Sequence, residues 1–600
     1  MPYAETHGRG FTNDFPLKGF TMSQPYRMLL ALVLTCCVTG PLFGQDADFI
    51  FRNGKVVTVD EEFSIAAALA VRRDRILAVG SDADVAKHKG SQTNVVDLEG
   101  RTVLPGLIDS HVHPTGAAMY EFDHPVPVME TIADVLAYIK SRADVLEDGQ
   151  WISVSQVFIT RLRDQRFPNR FELDQVAPKN PVYFRTGPDA SLNSLALHLS
   201  GIDRDFKITD GQPGRIERDP KTGEPNGIIR SASRFVKLKS SGRSASSEER
   251  IRRLKQLLAD YNSVGITSIS DRSASNSGIA LYEKLKAADQ LTCRVFLYKG
   301  VSPQGDWETV RKRVVEAAGS PLHEYDNMLW LRGIKVFLDG GMLTGSAYMR
   351  KPWGVSTIYS ITDPEYRGVL KIEPERLYKL ARVALEHDLQ MTAHSVGDGA
   401  VHALIDAYRR IDAADFPVRP KRPCITHCNF MSLEAIQSMQ KLGVVADLQP
   451  AWLRLDGRTL NRQFGPERLA YFQPYKSLFE HNVVIGGGSD HMQKIGSMRA
   501  VNPYNPFWGM WITLVRSPRW TDDVLHPEQR ITREQAIRLY TINNAWLSFE
   551  EKQKGSLEAG KLADFIVLEN DILTCPVDEV KNLKVAQTWL GGKRVYRGER

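Results

Sequence analysis

The stretch Leu104-Pro-Gly-Leu-Ile-Asp-Ser-His-Val-His-Pro114 carries an apolar run, then Asp109, and then two histidines separated by one residue. Because side chains alternate between the two faces of a β-strand, His111 and His113 are expected to point the same way. Two imidazoles at the end of a buried strand can bind one metal ion. A His-x-His pair also occurs on ordinary strand surfaces, so its interpretation depends on the residues that follow.

The centre of the chain alternates between apolar, strand-like runs and amphipathic, helix-like stretches. The strand-like runs cover residues 151–157, 181–185, 265–271, 294–298, 331–338, 389–394, 423–427, 443–448 and 482–489. The helix-like stretches cover residues 247–264, 306–318, 375–387, 400–411, 432–442 and 532–549. This alternation predicts an α/β fold with a parallel sheet, and at this size a closed (β/α)8 TIM-like barrel is its commonest form. The runs are one too many for eight strands, so an early one, such as 151–157, is expected to lie outside the barrel. Long loops are expected at residues 203–235 and 339–368.

The two ends of the chain share a β-rich texture that the centre lacks. Residues 46–105 contain short strand-like segments, and similar segments return after residue 553. Asn53-Gly54, between two of the first segments, predicts a hairpin turn. We therefore expect a small β-sandwich domain built from residues 46–105 and 553–600. The barrel, residues 106–552, is expected to be inserted between its halves.

The first 45 residues are expected to form an N-terminal extension and a signal peptide. Residues 1–21 are polar and without periodicity, and a short apolar run follows Arg27. A transmembrane helix needs ~20 apolar residues, and this shorter run is typical of a signal-peptide core. The sequence therefore predicts an exported protein, periplasmic or extracellular, with no membrane association beyond the export signal.

The overall composition is that of an ordinary globular protein. Of 600 residues, 42% are hydrophobic and 25% are charged, and the net charge is +6. The basic residues are scattered and form no long block, so the sequence carries no signature of nucleic-acid binding. The four cysteines after the N-terminal run are expected to be free thiols, and they are Cys293, Cys424, Cys428 and Cys575.

Four further candidate ligands each close a predicted strand, and they are Lys335, His394, His427 and Asp490. The C-terminal ends of barrel strands converge on one face, so these side chains are expected to meet His111 and His113 there. Imidazole and carboxylate ligands suit zinc and its neighbours in the first transition row. Asp271 and Asp398 are candidate hydrogen-bond partners for the imidazoles, with solvated turn carboxylates as the alternative interpretation.

Together these motifs resemble the amidohydrolase superfamily, and within it the amidohydrolase-3 group that includes N-substituted formamide deformylase and YtcJ-like proteins. Each motif is weak alone, but their order and spacing are specific and extend over nearly the whole chain after residue 45. The shared landmarks are Pro105-Gly-Leu-Ile-Asp-Ser-His-Val-His113, Lys335, Asp339-Gly340, His394 with Gly397-Asp398, His427, Ser489-Asp490, residues 506–516, and Gly555-Ser-Leu-Glu-Ala-Gly-Lys-Leu-Ala-Asp-Phe565.

The resemblance implies a hydrolase with one or two divalent metal ions, zinc above all. It assigns His111, His113 and Asp490 to the first ion. It assigns His394 and His427 to the second, with Lys335 bridging the ions as an N-carboxylated lysine. The metal would lower the pKa of its bound water to near 7 and polarise the scissile carbonyl. Asp490 would act as general base and pass the proton to the leaving nitrogen.

The sequence departs from the family pattern where substrate is chosen. Relatives carry Asp-Gly-His after the second strand, where this chain has Thr186-Gly-Pro-Asp-Ala-Ser191. An arginine of the family pattern is replaced by Gly345, and a glutamate is replaced near Ser231. These changes are expected to remove polar and charged groups from the pocket, so a relative's substrate does not transfer to this chain.

An apolar, aromatic-lined cleft is the expected substrate pocket. The loop at residues 502–520 is rich in aromatic side chains, which suit such a cleft, with core packing beneath long loops as the alternative. The candidate pocket residues are Asp339, Trp452, Trp508 and Arg516.

The leading hypothesis is an exported metal-dependent amidohydrolase that hydrolyses a C–N bond in a small amide, N-formyl or cyclic amide substrate. One alternative is a mononuclear deaminase of aminated heterocycles, which would need one metal and an uncarboxylated Lys335. The other is a non-catalytic, metal-containing binding protein, since the pocket departs from the family pattern. The sequence leaves a homodimer open.

Overall fold

A computed structural model describes residues 46–187, 189–211, 214–239 and 243–599. The predicted extension and signal peptide, residues 1–45, lie outside the described residues. None of the described helices combines the length and the apolar character needed to cross a membrane.

The strands, in chain order, are β1 (Phe49–Arg52), β2 (Lys55–Val57), β3 (Ile65–Ala66), β4 (Ala68–Arg72), β5 (Arg75–Gly80), β6 (Asn94–Asp97), β7 (Thr102–Pro105), β8 (Leu107–Val112), β9 (Ile152–Ser155), β10 (Val182–Thr186), β11 (Asp189–Leu192), β12 (Arg215–Arg218), β13 (Pro225–Arg230), β14 (Ile266–Ala274), β15 (Arg294–Gly300), β16 (Leu329–Phe337), β17 (Gln390–Ser395), β18 (Cys424–His427), β19 (Val445–Leu448), β20 (Ile485–Gly487), β21 (Phe565–Leu568), β22 (Val585–Leu590) and β23 (Lys593–Arg597).

The α-helices are α1 (Asp82–Ala86), α2 (Pro114–Ala117), α3 (Ile132–Ala143), α4 (Arg170–Val176), α5 (Ser194–Ser200), α6 (Ser247–Ser263), α7 (Asn276–Ala287), α8 (Trp307–Ala318), α9 (Pro374–Glu386), α10 (Asp398–Ala414), α11 (Leu433–Leu442), α12 (Ala451–Phe464), α13 (Tyr475–Glu480), α14 (Pro506–Val515), α15 (Arg533–Leu539) and α16 (Ile542–Leu547).

Eight parallel strands form the central sheet, in the order β8, β14, β15, β16, β17, β18, β19 and β20. The sheet closes between its first and last strands. Val112 forms a parallel bridge with His491, in the loop after β20, and the Asp490 N–H donates to the His111 carbonyl at 2.7 Å. The predicted (β/α)8 barrel is confirmed, and its closing seam joins the motifs that carry His111 and Asp490.

Side-chain caps explain where the barrel helices begin. The Ser246 hydroxyl accepts the Glu249 N–H at 3.2 Å, and the Glu249 carboxylate accepts the Ser246 N–H at 2.9 Å, which together form a capping box before α6. Asp306 and Ser432 cap α8 and α11 in the simpler way, through one backbone N–H each. These helices begin close to the starts predicted from their amphipathic pattern.

One predicted helix is broken in two. The stretch 532–549 forms α15 and α16, because Thr541 leaves helical geometry with φ −130° and ψ −101°. The carbonyl of Tyr540 accepts the N–H of Ile108 in β8 at 2.8 Å, so this break ties the last helices to the first barrel strand.

A separate five-stranded sheet lies between β8 and β14 in the sequence, in the order β12, β13, β11, β10 and β9. Both early strand-like runs, 151–157 and 181–185, belong to it, so two runs rather than one lie outside the barrel. The loop expected at residues 203–235 contains β12 and β13 of this sheet. Val154 and Phe184 are buried in an apolar core of its own, which explains why these runs resemble barrel strands.

The two chain ends pair in one six-stranded sheet, in the order β3, β2, β7, β21, β22 and β23, where β7 and β21 run antiparallel. A four-stranded sheet, in the order β5, β4, β1 and β6, supplies the other layer. Phe51 from this layer packs on Phe565 and Trp589 with ring centroids 5.0 and 5.1 Å apart. A shared apolar core therefore holds both layers of the β-sandwich together.

The hairpin expected at Asn53-Gly54 is wrong. β1 pairs with β4 and β6, whereas β2 pairs with β3 and β7 in the other sheet. A Cβ on Gly54 would lie 2.4 Å from Cδ1 of Leu98, so glycine lets the chain pass Leu98 closely as it moves from one sheet to the other.

Candidate metal centre

Three side chains at the closing seam of the barrel direct their donor atoms at one another. His111 lies in β8, His113 follows that strand as the N-cap of α2, and Asp490 follows β20. Nε2 of His111 and Nε2 of His113 are 3.3 Å apart, and each lies 3.2 Å from Oδ1 of Asp490. His111 is buried, whereas the His113 side chain is 27% exposed, so the group opens to solvent on the His113 side.

This triangle of donor atoms fits a divalent metal ion. Tetrahedral ligands bound to zinc at ~2.1 Å lie about 3.4 Å from one another, close to the three measured separations. Burial, and then the charge of Lys335, lower the pKa of His111 well below its ordinary value, so the imidazole is neutral and has a lone pair to donate. Within the described part of the chain, these three residues form the tight group of possible ligands.

Hydrogen bonds beneath the triangle fix the orientation of His111. Asp447, in β19, lies 3.0 Å from Nδ1 of His111 and accepts the Ser110 hydroxyl at 2.6 Å. Nε of Arg272, in β14, lies 3.2 Å from the same carboxylate. Because Nδ1 of His111 carries the proton that it donates to Asp447, Nε2 presents its lone pair to the triangle.

His394 and His427, in neighbouring strands β17 and β18, lie beside this triangle. Their ring centroids are 4.4 Å apart, and the ring of His427 is 5.2 Å from that of His111. Nδ1 of His427 donates to Oε1 of Gln449 at 2.7 Å, which leaves its Nε2 free. Nε2 of His394 lies 3.2 Å from the Gly340 carbonyl, which leaves its Nδ1 free. The structure thus brings the four candidate imidazoles together.

Lys335, in β16, is buried beside these imidazoles. Its charge lowers the pKa of His111, His394 and His427, so it lies within electrostatic reach of all three. Burial, followed by the nearby Arg272 guanidinium, lowers the pKa of Lys335 to about 8. Near pH 7, more of this amine is therefore neutral than in an exposed lysine, and the neutral amine is the form that reacts with carbon dioxide.

Backbone strain accompanies two of the candidate ligands. Asp490 and His427 have φ angles of 55° and 82°, which non-glycine residues adopt uncommonly and often at functional sites. Both residues lie where a barrel strand gives way to a loop. Nδ2 of Asn502 donates to the Asp490 carbonyl at 2.7 Å and lies 3.5 Å from its Oδ2, so Asn502 helps to hold this conformation.

Of the four candidate pocket residues, Trp452 lies beside the candidate metal centre and Trp508 lines a cavity. Trp452, in α12, stacks on His427 with ring centroids 4.7 Å apart. Its buried Nε1 has no hydrogen-bond partner among the described residues. Trp508, in α14, lines a cavity of about 370 Å³ that extends along the loop after Asp490.

The other two, Asp339 and Arg516, hold the backbone instead. The buried Asp339 carboxylate accepts the N–H groups of Tyr348, Val396 and Gly397 at 2.9 to 3.0 Å. The buried Arg516 guanidinium donates to the carbonyls of Phe472, Gln473 and Leu525 at 2.8 to 3.0 Å. These backbone groups account for most of their polar atoms, and Oδ1 of Asp339 also lies 3.8 Å from Nε2 of His394. The pocket role expected of the two residues stays a prediction.

The expected imidazole partners also differ from those observed. Asp271 accepts the Tyr282 hydroxyl at 2.9 Å, and Asp398 accepts a backbone N–H at 2.8 Å. The observed partners are Asp447 and Gln449, which sequence reasoning missed. One residue separates them at the end of β19, as one residue separates His111 and His113. Side chains at this spacing point to the same face of a strand, and this is the signal that could have identified them.

The positions at which the sequence departs from the family pattern meet at a second cavity, of about 230 Å³, lined in part by Asp189, Ser231 and Gly345. Arg230 also lines it and pairs with Asp189 at 3.1 Å, so this cavity still contains charged groups. A Cβ on Gly345 would lie 2.7 Å from Cβ of Tyr359, and the φ of Gly345 is 68°. A larger residue therefore does not fit here unless Tyr359 moves.

Comparison with known proteins agrees with this geometry. A profile of the Amidohydrolase family, for its amidohydrolase-3 group, matches residues 94–596. N-substituted formamide deformylase from Arthrobacter pascens is 29% identical over 581 residues, which cover 93% of this chain and 99% of that protein. Putative amidohydrolase YtcJ from Bacillus subtilis (strain 168) is 24% identical over 557 residues, which cover 91% of this chain and 99% of that protein.

A solved structure has the same fold. An uncharacterized metal-dependent hydrolase from Pyrococcus horikoshii OT3 matches with a TM-score of 0.64 and 20% identity, over 88% of this chain and 99% of that one. At this identity the likeness concerns the fold alone, but the family profile spans most of the chain and every candidate ligand. This chain belongs to the Amidohydrolase family.

Proposed function

We propose that the protein is a metal-dependent hydrolase that cleaves a C–N bond in an amide, N-formyl or cyclic amide substrate. The observation that carries this proposal is the triangle of His111 Nε2, His113 Nε2 and Asp490 Oδ1, with sides of 3.2 to 3.3 Å. Three protein ligands with one side open to solvent are typical of catalytic metal sites, whereas structural sites are closed by four.

In this proposal His111, His113 and Asp490 hold the first ion, which is zinc. A bound divalent ion supplies Lewis-acid polarisation of the substrate carbonyl and a nucleophile at neutral pH. The chain supplies the proton transfer. Oδ2 of Asp490, which lies toward Asn502, accepts a proton from the attacking water and delivers it to the leaving nitrogen.

We further propose that Lys335 is carboxylated and holds a second ion together with His394 and His427. The neutral amine attacks carbon dioxide, an N–C bond forms, and the nitrogen releases a proton to give an anionic carbamate. A lysine ammonium would repel a second cation, whereas the carbamate offers it two oxygens. In the described part of the chain, no other His, Cys, Asp or Glu forms a tight group with His394 and His427, so the second ion depends on Lys335.

The proposed substrate is small and enters on the His113 side. Because the relative from Arthrobacter pascens is an N-substituted formamide deformylase, N-substituted formamides are the first compounds to test. Trp452 offers an apolar face against His427 and an Nε1–H that can donate to an amide oxygen. Export, proposed from the sequence of residues 1–45, would place this chemistry in the periplasm or outside the cell.

Metal content per chain tests the ligand assignment in protein produced with zinc and bicarbonate. Wild type is expected to hold about two zinc ions, and Lys335→Ala one or fewer, because the carbamate bridge is lost. Lys554→Ala is the matched control, since Lys554 is also buried but pairs with Glu550 at 2.7 Å, away from the candidate ligands. It is expected to keep the wild-type zinc content.

Release of amine from a panel of amides, N-formyl amines and cyclic amides tests the reaction. Turnover should disappear with a chelator and return with zinc. One zinc in both proteins, together with ammonia release from aminated heterocycles, would favour the mononuclear deaminase. Zinc-loaded protein that binds the panel without turnover would favour the binding protein, and a failure to bind zinc would contradict all three functions.

A further inference from the structure

The cavity lined by Trp508, of about 370 Å³, has none of the candidate metal ligands in its lining. It is linked to Asp490 by two observations. Gln493 and Lys494, which follow Asp490 closely in the chain, line the cavity. Arg161 also lines it and donates to Oδ1 of Asn502 at 2.8 Å, while Asn502 donates to the Asp490 carbonyl. The cavity wall is therefore two hydrogen bonds from the proposed general base.

Basic side chains dominate the charged lining, and two of them are already neutralised. Arg161 forms a bidentate pair with Asp456, at 2.9 and 2.7 Å. Arg499 pairs with Glu121 at 2.7 Å. Glu130, the acidic residue of the lining, is paired with an arginine outside the cavity at 3.1 Å. These pairs leave the charges of the remaining basic residues unbalanced.

The remaining cations of the lining are Arg454, Lys494 and Arg519. Each donates to a backbone carbonyl at 3.0 Å, and none forms an ion pair with a carboxylate among the described residues. Burial lowers the pKa of Arg519 to about 10 and also lowers the pKa of Arg454 and Lys494. Burying a charge without an opposite charge costs free energy, and a bound anion would recover it.

One donor in this group is free. Nε of Arg519 is buried and has no hydrogen-bond partner among the described residues. The guanidinium of Arg519 lies 3.9 Å from the ring centroid of Trp520, which covers its face and leaves its edge for hydrogen bonds. Trp508, Trp520 and Phe158 line the same cavity, so an apolar or aromatic group fits beside the cations.

We propose that this cavity binds the carboxylate end of the substrate, so that the hydrolysed amides carry a free carboxylate on an aromatic or apolar body. The carboxylate would bind Lys494 and the edge of Arg519, and the apolar body would pack on the tryptophans. This assignment of substrate class rests on the proposed hydrolase function. The binding of an anion in the cavity rests on the cavity alone.

Calorimetric titration of the zinc-loaded, full-length protein with phenylacetate and with phenylacetamide tests the proposal. The two probes share an aromatic ring and differ in charge, so we expect phenylacetate to bind at least about tenfold more tightly. Lys494→Met and Arg519→Met should each weaken phenylacetate binding about fivefold or more without changing the zinc content. Binding to wild type should also weaken as sodium chloride is raised.

Lys581→Met is the matched control for Lys494→Met. Nζ of Lys581 lies 4.3 Å from the ring centroid of Trp511, but Lys581 does not line the cavity, so its loss should leave phenylacetate binding unchanged. Equal binding of both probes to wild type, or binding that ignores salt, would overturn the proposal even if a variant failed to fold. Unchanged affinity in both cavity variants would place the carboxylate on the metal and would also overturn it.

The same titration, together with the amide assay, distinguishes a failure of this proposal from a failure of the proposed hydrolase function. Anion binding that depends on Lys494 and Arg519, in a protein that hydrolyses no amide, would retain the cavity and reject the hydrolase. Zinc-dependent hydrolysis of neutral amides without anion binding would retain the hydrolase and reject the carboxylate-binding cavity.

Discussion

At the scale of single residues, Asp447 links the candidate ligand His111 to the buried guanidinium of Arg272. It contacts Nδ1 of His111 on one side and the buried Arg272 on the other. Asp447 therefore has two effects at once, since it selects the tautomer of His111 and balances a guanidinium that is out of reach of water. A residue with both roles should be sensitive even to a change that preserves its shape.

Asp447→Asn is expected to lower zinc affinity roughly 10- to 100-fold, because the amide no longer polarises His111 and no longer balances Arg272. Zinc affinity is measured by competition with a chromophoric chelator. The melting temperature should also fall, because Arg272 remains buried without its partner.

Asp564→Asn separates these two effects. Asp564 forms a buried, bidentate pair with Arg294, at 2.6 and 2.9 Å, and contacts no candidate ligand. This variant should lose melting temperature and keep the zinc affinity of wild type. If Asp447→Asn also kept its zinc affinity, the orienting role of Asp447 would be wrong.

The six candidate ligands could be predicted from the sequence because each lies at or near the C-terminal end of a barrel strand, and these ends converge on one face. The residues that orient them could not be predicted with the same rule. Asp447 acts through hydrogen bonds to His111 and Ser110, whose pairing with it depends on where β19 lies relative to β8. Asp339 and Arg516 are candidate pocket residues in the sequence, and only the three-dimensional structure shows that their polar atoms bind backbone groups.

At the scale of elements, the last barrel strand must pass very close to the first. A Cβ on Gly488, directly after β20, would lie 2.7 Å from Oγ of Ser110 and 2.8 Å from the backbone nitrogen of His111. These atoms belong to β8, so there is no space for a side chain between the two strands. This close approach is what brings Asp490 to His111 and His113.

Gly488→Ala is expected to separate β20 from β8 and to misplace Asp490 relative to the two imidazoles. Overpacking of this kind costs about 1–3 kcal/mol of stability, and we expect zinc affinity to fall about tenfold or more. Thermal unfolding and zinc competition measure the two effects.

Gly116→Ala provides the matched control for this substitution. Gly116 lies in α2, next to the same metal centre, and a Cβ there would have no atom within 4 Å. Alanine also favours a helix, so this variant should unfold no more easily than wild type and bind zinc equally well. Equal zinc affinity in Gly488→Ala and Gly116→Ala would show that the β8–β20 approach does not position Asp490.

Helices and barrel strands were predictable because their apolar periodicity is a local property of the sequence. The five-stranded sheet was not, because its apolar strands have the same texture as strands of the barrel. Pairing decides between them, and β9 pairs with β10 rather than with any barrel strand. The Asn53-Gly54 turn failed for the same reason, since a local turn signal does not say which sheet receives the next strand.

At the scale of the whole molecule, the C-terminal segment completes the β-sandwich and also supports the barrel. β21 is an inner strand of the six-stranded sheet, between β7 and β22, whereas β23 is at its edge. Asp564, directly before β21, pairs with Arg294 in barrel strand β15. The pairing of the two chain ends therefore reaches into the barrel through this buried ion pair.

A chain that ends at residue 552 is expected to fail to fold. Loss of residues 553–600 would uncover Phe51 and one edge of β7, and it would leave Arg294 buried without Asp564. A buried charge without its partner costs about 3–5 kcal/mol, a large part of the stability of most proteins.

A chain that ends at residue 592 is the control. It loses only the edge strand β23 and keeps β21, β22 and Asp564, so it should remain soluble and melt cooperatively. Soluble yield and thermal unfolding measure both. If the chain that ends at residue 552 also melted cooperatively and bound zinc, the barrel would fold independently of the β-sandwich. The Arg294–Asp564 pair would then not be needed for the barrel to fold.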